Sequence, residues 1–255
     1  ERGMEGGPEG GTVRAGDEGA FRSRVEPNRA NKPVNFVSWL DAARFANWLE
    51  NGRPLGLQSV ATTERGVFDL TVVDAGAMAT RDPGARWSLP TEDEWYKAAY
   101  YGSTPLPRYY AYPTGSDLEP LPLLANNLGD GIAGQLNYAE GASEPGDRVM
   151  TVASGEPGSE SPAGTWDQGG NVAEWLGADA EGGQRLARGG SFREGSAAFR
   201  SSPAPERSAM LFDPAHAADD VGFRVAFIPE PSLALLQLAA VLSLGWLRRR
   251  SRGRS

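Results

Sequence analysis

Residues 103–163 carry many Pro, Gly and Asn and show no sustained hydrophobic period. The same chain holds seven Trp, seven Tyr and nine Phe, which is too much apolar surface for a disordered protein. A core must therefore form although a long stretch contributes little regular structure to it. Long ordered loops in a compact domain are usually functional or braced by ions. The 255 residues suffice for a single core, and no internal repeat is present.

Charge divides the chain in two. The formal net charge is -8, yet residues 232–255 hold five arginines (248, 249, 250, 252 and 254) and no acid, leaving -13 for the rest. An acidic body argues against a nucleic-acid partner, which wants a basic face. The tail, "PEPSLALLQLAAVLSLGWLRRRSRGRS", is apolar and then basic. Its run from Leu233 to Leu247 would measure roughly 22 Å as a helix at ~1.5 Å per residue. That is short against a hydrocarbon core of about 30 Å. The arginines supply a positive-inside stop. Two readings stay open: a short membrane anchor, or a sorting signal with a removable greasy tail. The chain opens on Glu1 with neither an initiator Met nor a signal-like stretch, so a fragment of a longer protein is expected.

Two segments have helical periodicity. "SWLDAARFANWLENG" (38–52) has Ser38 to cap it, Asp41 in its first turn and Asn51-Gly52 to close it. Trp39, Ala43, Ala46 and Leu49, flanked by Leu40, Phe45 and Trp48, form a broad apolar stripe. "RWSLPTEDEWYKAAYYG" (86–102) has a capping box of Thr91 and Glu94, with Trp95, Ala98 and Ala99 facing inward. A hairpin is expected over 12–26 around Gly16–Gly19, and a strand over "TERGVFDLTVV" (63–73). Further short strands are expected in "RLARGGSF" and "VGFRVAFI".

The densest motif is "GTWDQGGNVAEWLG" (164–177), with an amide, Asn171, three residues before a carboxylate, Glu174, between Trp166 and Trp175. That spacing could clamp a metal, cap a helix or line a catalytic pocket, because Asn-x-x-Glu is also a capping-box pattern. The two tryptophans read as core on any of these.

Other constellations read as structural. Cysteine is absent, so no disulfide or thiolate site exists in these residues. His216 is the sole histidine, in "DPAHAADD", which excludes sites built on several histidines and leaves a solvated loop residue. Asp219-Asp220 and Glu92-Asp93-Glu94 read as a solvated loop and an acidic first helical turn. The Gly-Gly doublets at 169, 182 and 189 lack the rest of a phosphate loop.

Two resemblances extend this. Pro229-Glu230-Pro231, the short apolar run and Arg248-Arg249-Arg250 together resemble the PEP-CTERM sorting signal. That implies export, recognition by an exosortase, and delivery to the cell surface or extracellular matrix. The chain would be membrane-associated through 232–247 before processing.

The body resembles the formylglycine-generating enzyme, or sulfatase-modifying factor, family over about residues 10–228. The matches are "KPVNFVSWLDAARFANWL", "RWSLPTEDEWYKAAYY", "WDQGGNVAEW", "LARGGSF" and "VGFRVA", in the family's order. The family's N-terminal portion is not seen in these residues. The resemblance implies a single α+β domain, a variant of the C-type lectin fold with little regular structure. The expected organisation is a flexible stretch at 1–11, the domain at 12–228 and the sorting or anchor segment at 229–255, with a short hydrophobic helix. For the motif at 164–177 it implies a structural calcium ion on the side chains of Asn171 and Glu174 and the carbonyl of Val172. A second calcium site would fall on Asn126, with Asp147 a poor match.

The family's activity oxidises a substrate cysteine through two enzyme cysteines that hold copper, a soft metal that wants sulfur. Those positions are Glu194 and Phe199 here, whereas Ser191 and Arg207 match neighbouring family residues. No copper is expected. The implied protein is a non-catalytic, calcium-braced module that binds an extracellular protein or glycan, or fills a matrix. The alternative is a formylglycine-generating-type oxidase, or a related enzyme, acting on protein substrates by different chemistry.

Overall fold

The computed structural model describes residues 12–15, 22–25, 29–75, 79–123, 132–139, 148–179, 181–201 and 209–228. Residues 1–11 and the tail with its expected helix lie outside these.

The expected hairpin is present: β1 (Thr12–Ala15) pairs antiparallel with β2 (Arg22–Val25), Thr12 opposite Val25. The first helix, α1 (Trp39–Glu50), starts on Ser38, and the Asp41 carboxylate returns to the Ser38 backbone to complete a capping box. It closes on Asn51 and a left-handed Gly52 (φ 79°), as the sequence predicts.

The buried face of α1 differs from the expected stripe. Trp39, Ala42, Ala43, Ala46 and Asn47 are buried, whereas Phe45 is exposed and Leu40, Trp48 and Leu49 are half-buried. Asn47 sits in the core because its amide behaves like a strand edge. It accepts from the Phe68 N–H (2.8 Å) and donates to the carbonyls of Phe68 (2.9 Å) and Thr63 (2.7 Å). This explains why 63–73 is not the expected strand. The Phe68 backbone is satisfied by a side chain, leaving a π-helical turn (Val60–Glu64), a single bridge from Phe68 to Arg81, and a 3₁₀ turn (Leu70–Ala75).

β3 (Trp87–Ser88) leads into α2 (Glu92–Tyr100), which carries the predicted Thr91–Glu94 capping box. Trp95, Ala99 and Tyr100 are buried, and Ala98 is half-buried. Among the described residues of the middle region, loops are joined by short ladders. β4 (Tyr101–Gly102) pairs with β5 (Arg108–Tyr109), and β6 (Leu121–Pro122) pairs in parallel with β7 (Gln135–Leu136).

The one larger sheet contains β8 (Ala173–Asp179), β9 (Arg185–Arg188), β10 (Met210–Phe212) and β11 (Val221–Phe223), in the order β10-β9-β8-β11. Only β11 and β8 run parallel. β12 (Ala226–Phe227) leaves this sheet to pair with β3. Among the described residues, α1 and α2 with short strands and long loops make this an α+β architecture with little regular structure.

Buried indoles lock the helices to β8. Trp39 donates to the Leu176 carbonyl (2.8 Å), Trp175 to the Val37 carbonyl (2.9 Å) and Trp95 to the Glu174 carboxylate (2.7 Å). Each ring thus supplies core area and satisfies its one polar atom. Trp175 is core as expected, whereas Trp166 is only half-buried.

Candidate functional site

The motif at 164–177 ends in β8, so Asn171 precedes a strand and the helix-cap reading fails. Asp167, Gly170 and Asn171 all have left-handed backbones (φ 56°, 75° and 60°), giving a tight crossing of loops. Gly170 is required there, since a Cβ would overlap the Asn137 carbonyl. Asn tolerates the left-handed region better than most residues.

Asn171 is fully engaged by protein. Its Oδ1 accepts from the Met150 N–H (3.0 Å) and from Asn137 Nδ2 (3.2 Å), while its Nδ2 donates to the Met150 carbonyl (3.2 Å). Its N–H donates to the Asn137 carbonyl (2.7 Å), and its own carbonyl accepts from the Phe192 N–H (3.0 Å). One buried amide therefore ties three loops together.

Glu174 is engaged as completely. Arg224 approaches it through Nε and one terminal nitrogen, a two-point ion pair, and Trp95 adds the indole bond. Arg224 also donates to the Trp166 carbonyl (2.9 Å). Burial pushes the Arg224 guanidinium toward losing its charge, but Glu174 and Asp167 outweigh that and raise its pKa. Asp167 accepts from the Ala153 N–H (2.8 Å). Its carboxyl is held above the ordinary value by burial, with Glu174 adding to the rise.

A calcium ion on these side chains would compete with protein donors. The Asn171 oxygen already faces two N–H donors, and the Glu174 carboxylate faces a guanidinium and an indole N–H. Among the described residues no group of three or more acids and histidines is placed to hold a metal. Asn126 and Asp147 lie outside the described residues, as does Arg207.

The loop after β9 holds the positions matching the family cysteines. Gly189 and Gly190 turn the chain with φ 96° and 62°, and a Cβ at Gly190 would strike Ala198 at 2.9 Å. Glu194 folds back so that one oxygen accepts from both the N–H (2.7 Å) and the hydroxyl (2.5 Å) of buried Ser191. The Ser191 Oγ in turn accepts from the Arg193 N–H (3.1 Å). Phe199 turns the other way, into a ring cluster with Tyr112 and Tyr138 at centroid distances of 6.2 and 5.0 Å. Tyr100 donates its hydroxyl to the Phe199 carbonyl (2.9 Å). One position is thus a loop clamp and the other is core.

Asp219 and Asp220 flank Glu194 on the same shelf, and Arg193 pairs with both. Buried Asn35 donates to the Asp219 carbonyl (2.8 Å). The Asp220 carboxyl is pushed above its ordinary value by burial and by the neighbouring charges of Asp219 and Glu194, with Arg193 opposing. The shelf is acidic and half-exposed, with the Ser191 hydroxyl buried beneath it.

The other acids named from the sequence are structural. Glu92 pairs with buried Arg188, and Glu94 pairs with Arg81 (2.7 Å) while capping α2. His216 stacks on Phe212 at 4.4 Å. Sequence reasoning missed Arg188 and Arg224. The usable signal was a cation inside an apolar strand pattern, "VGFRVAF", which needs a buried acid to balance it.

A sequence model of the sulfatase-modifying factor enzyme 1-like domain matches residues 9–228. A search of curated proteins finds no match. Similar solved structures include Treponema denticola variable protein 1, 21% identical over 79% of this chain and 73% of that one, with a TM-score of 0.49. CarF is 24% identical over 89% of this chain and 78% of that one, with a TM-score of 0.46. PvdO from Pseudomonas aeruginosa is 20% identical over 85% and 68%, with a TM-score of 0.43.

Proposed function

Because the chain belongs to the sulfatase-modifying factor enzyme 1-like family but has no cysteine, we propose that it is a non-catalytic member, exported and held at the cell surface, that serves as a binding or matrix module. On this reading the scaffold is a variant of the C-type lectin fold. The observation that carries the reading is the fate of the two family cysteine positions. Glu194 is spent clamping Ser191, and Phe199 is buried among aromatic rings. Copper-assisted oxidation of a substrate thiol needs soft sulfur ligands, and neither side chain can supply one.

The acidic shelf of Glu194, Asp219 and Asp220 with Arg193 is the natural contact surface for a protein or glycan, since it presents hydrogen-bonding groups on loops held by the sheet. The tail would act as the exosortase-recognised sorting signal, with the Leu233–Leu247 run in the membrane before processing. Among the described residues no helix is long and apolar enough to cross a membrane.

The test is incubation of the purified chain with a cysteine-bearing sulfatase peptide, copper and oxygen, followed by mass spectrometry. The peptide is expected to keep its cysteine. A copper- and oxygen-dependent formylglycine product overturns the reading in favour of an enzyme. Saturable binding to extracted exopolysaccharide or surface protein, weakened in Arg193→Ala, separates a binding module from a space-filling one.

A further inference from the structure

The last described residues, Phe227 and Ile228, lie at a corner that carries exposed apolar side chains. The last ladder bond there runs from the Ile228 N–H to the Arg86 carbonyl (2.8 Å), with Phe227 opposite Trp87 in the β12–β3 register. The Trp87 and Phe227 rings pack 4.7 Å apart, and Phe227 remains 52% exposed. Glu50, the last residue of α1, accepts from the N–H groups of Arg86 (3.0 Å) and Trp87 (2.8 Å) and so pins the end of the helix to the same corner.

The loop that follows carries Leu55 and Leu57, which are 98% and 89% exposed. Its base is fixed by Trp48, whose indole donates to the Pro54 carbonyl (3.0 Å), and by the Arg53 N–H bond to the Trp48 carbonyl (2.8 Å). The leucines are thus presented on an anchored loop. Arg53, two residues before Leu55, and Arg86, whose N–H is held by Glu50, are both exposed.

Chain length says what covers this corner. Only residues 229–232 separate Ile228 from Leu233, the first residue of the apolar run. Five Cα–Cα steps span at most roughly 18 Å. A bilayer's headgroup regions together add about 10–15 Å to its hydrocarbon core. If Leu233–Leu247 enters a membrane, the corner cannot stand far from its surface. Its chemistry suits that place, since Trp and other amphipathic rings favour the interface and Arg favours the headgroup level.

We propose that the corner formed by Leu55, Leu57, Trp87, Phe227 and Ile228, rimmed by Arg53 and Arg86, rests in the headgroup interface of the bilayer that the tail enters. The contact rests on the anchor reading given above. It fixes how the domain stands at the surface, with the β12 end of the chain toward the lipid.

The absence of cysteine makes the test direct. Single nitroxide labels are placed in the full chain through Leu57→Cys, Phe227→Cys, Leu238→Cys in the tail, and Leu118→Cys. Leu118 is an exposed leucine on the loop before β6 and serves as control. The proteins are reconstituted into phosphatidylcholine–phosphatidylglycerol vesicles, and label collisions with oxygen and with a water-soluble nickel chelate are measured. The expected result is full protection from nickel at 238, a several-fold drop at 57 and 227, and none at 118. Adding Leu55→Ser is expected to return the 227 label toward water without moving the melting temperature. Labels at 57 and 227 as wet as the one at 118, with 238 buried, overturn the contact and leave the anchor standing. Equal protection at 118 overturns it as non-specific adsorption. A wet label at 238 overturns the anchor and the contact together.

Discussion

The brace built on Asn171, Glu174 and Arg224 and the shelf built on Ser191, Glu194, Asp219 and Asp220 are both polar, yet they treat charge in opposite ways. In the brace, a buried carboxylate meets a guanidinium at two points and an indole at a third. In the shelf, Asp219 and Asp220 share Arg193 with Glu194 close by, and burial with this crowding raises the pKa of Asp220. A region whose charges are each matched serves stability, because leaving any partner out exposes a buried ion. A region with surplus like charge is held by its scaffold and suits an external partner.

The largest effect is expected in the brace. Glu174→Gln removes the acid that pairs with Arg224 and should destabilise the fold by about 3 kcal/mol in urea unfolding. An unchanged midpoint would mean that solvent already compensates Arg224. Asn171→Ala comes next at about 2 kcal/mol, since it strands the buried Met150 N–H and places Ala in a left-handed backbone.

The shelf is expected to respond with the opposite sign. Asp220 has a raised pKa when folded, so its ionised form is disfavoured by the fold at neutral pH. That penalty is present above its folded pKa and disappears as pH falls through that pKa toward 3.8. Asp220→Asn should therefore stabilise modestly at pH 7, with the gain vanishing on acidification, as thermal melts across pH would record. Glu94 behaves conversely. Its burial would raise the pKa, but Arg81 and the Thr91 cap outweigh it and lower it. The stability it adds is present above 4.5 and is lost as pH falls through the folded value. Glu94→Gln should thus flatten acid sensitivity, where Asp220→Asn removes an acid-side gain.

The smallest effect is none. EDTA or added calcium should leave the melting temperature unchanged, because the brace oxygens already hold protein donors. A calcium-dependent rise that disappears in Asn171→Ala would put the ion back at this site.

Much of the frame could be read in advance. Ser38, Asn51-Gly52 and the Thr91–Glu94 box set both helix ends through bonds made within a few residues. The strands at 185–188 and 221–227 were likewise marked by short apolar runs between turn residues. The segment at 63–73 was not, because its ladder partner is the Asn47 side chain and periodicity carries no trace of such a bond. Phe45 looked like core by spacing yet lies at the surface, against Trp48 and Phe223.

The sequence by itself settled the helix caps and the lack of any thiol, since these follow from local geometry or from residue identity. Only the tertiary structure decided what Asn171, Glu174, Glu194 and Phe199 do. Whether an oxygen is open to an ion depends on donors brought from residues 95, 137, 150 and 224, and no spacing within one motif reveals which distant N–H groups arrive first.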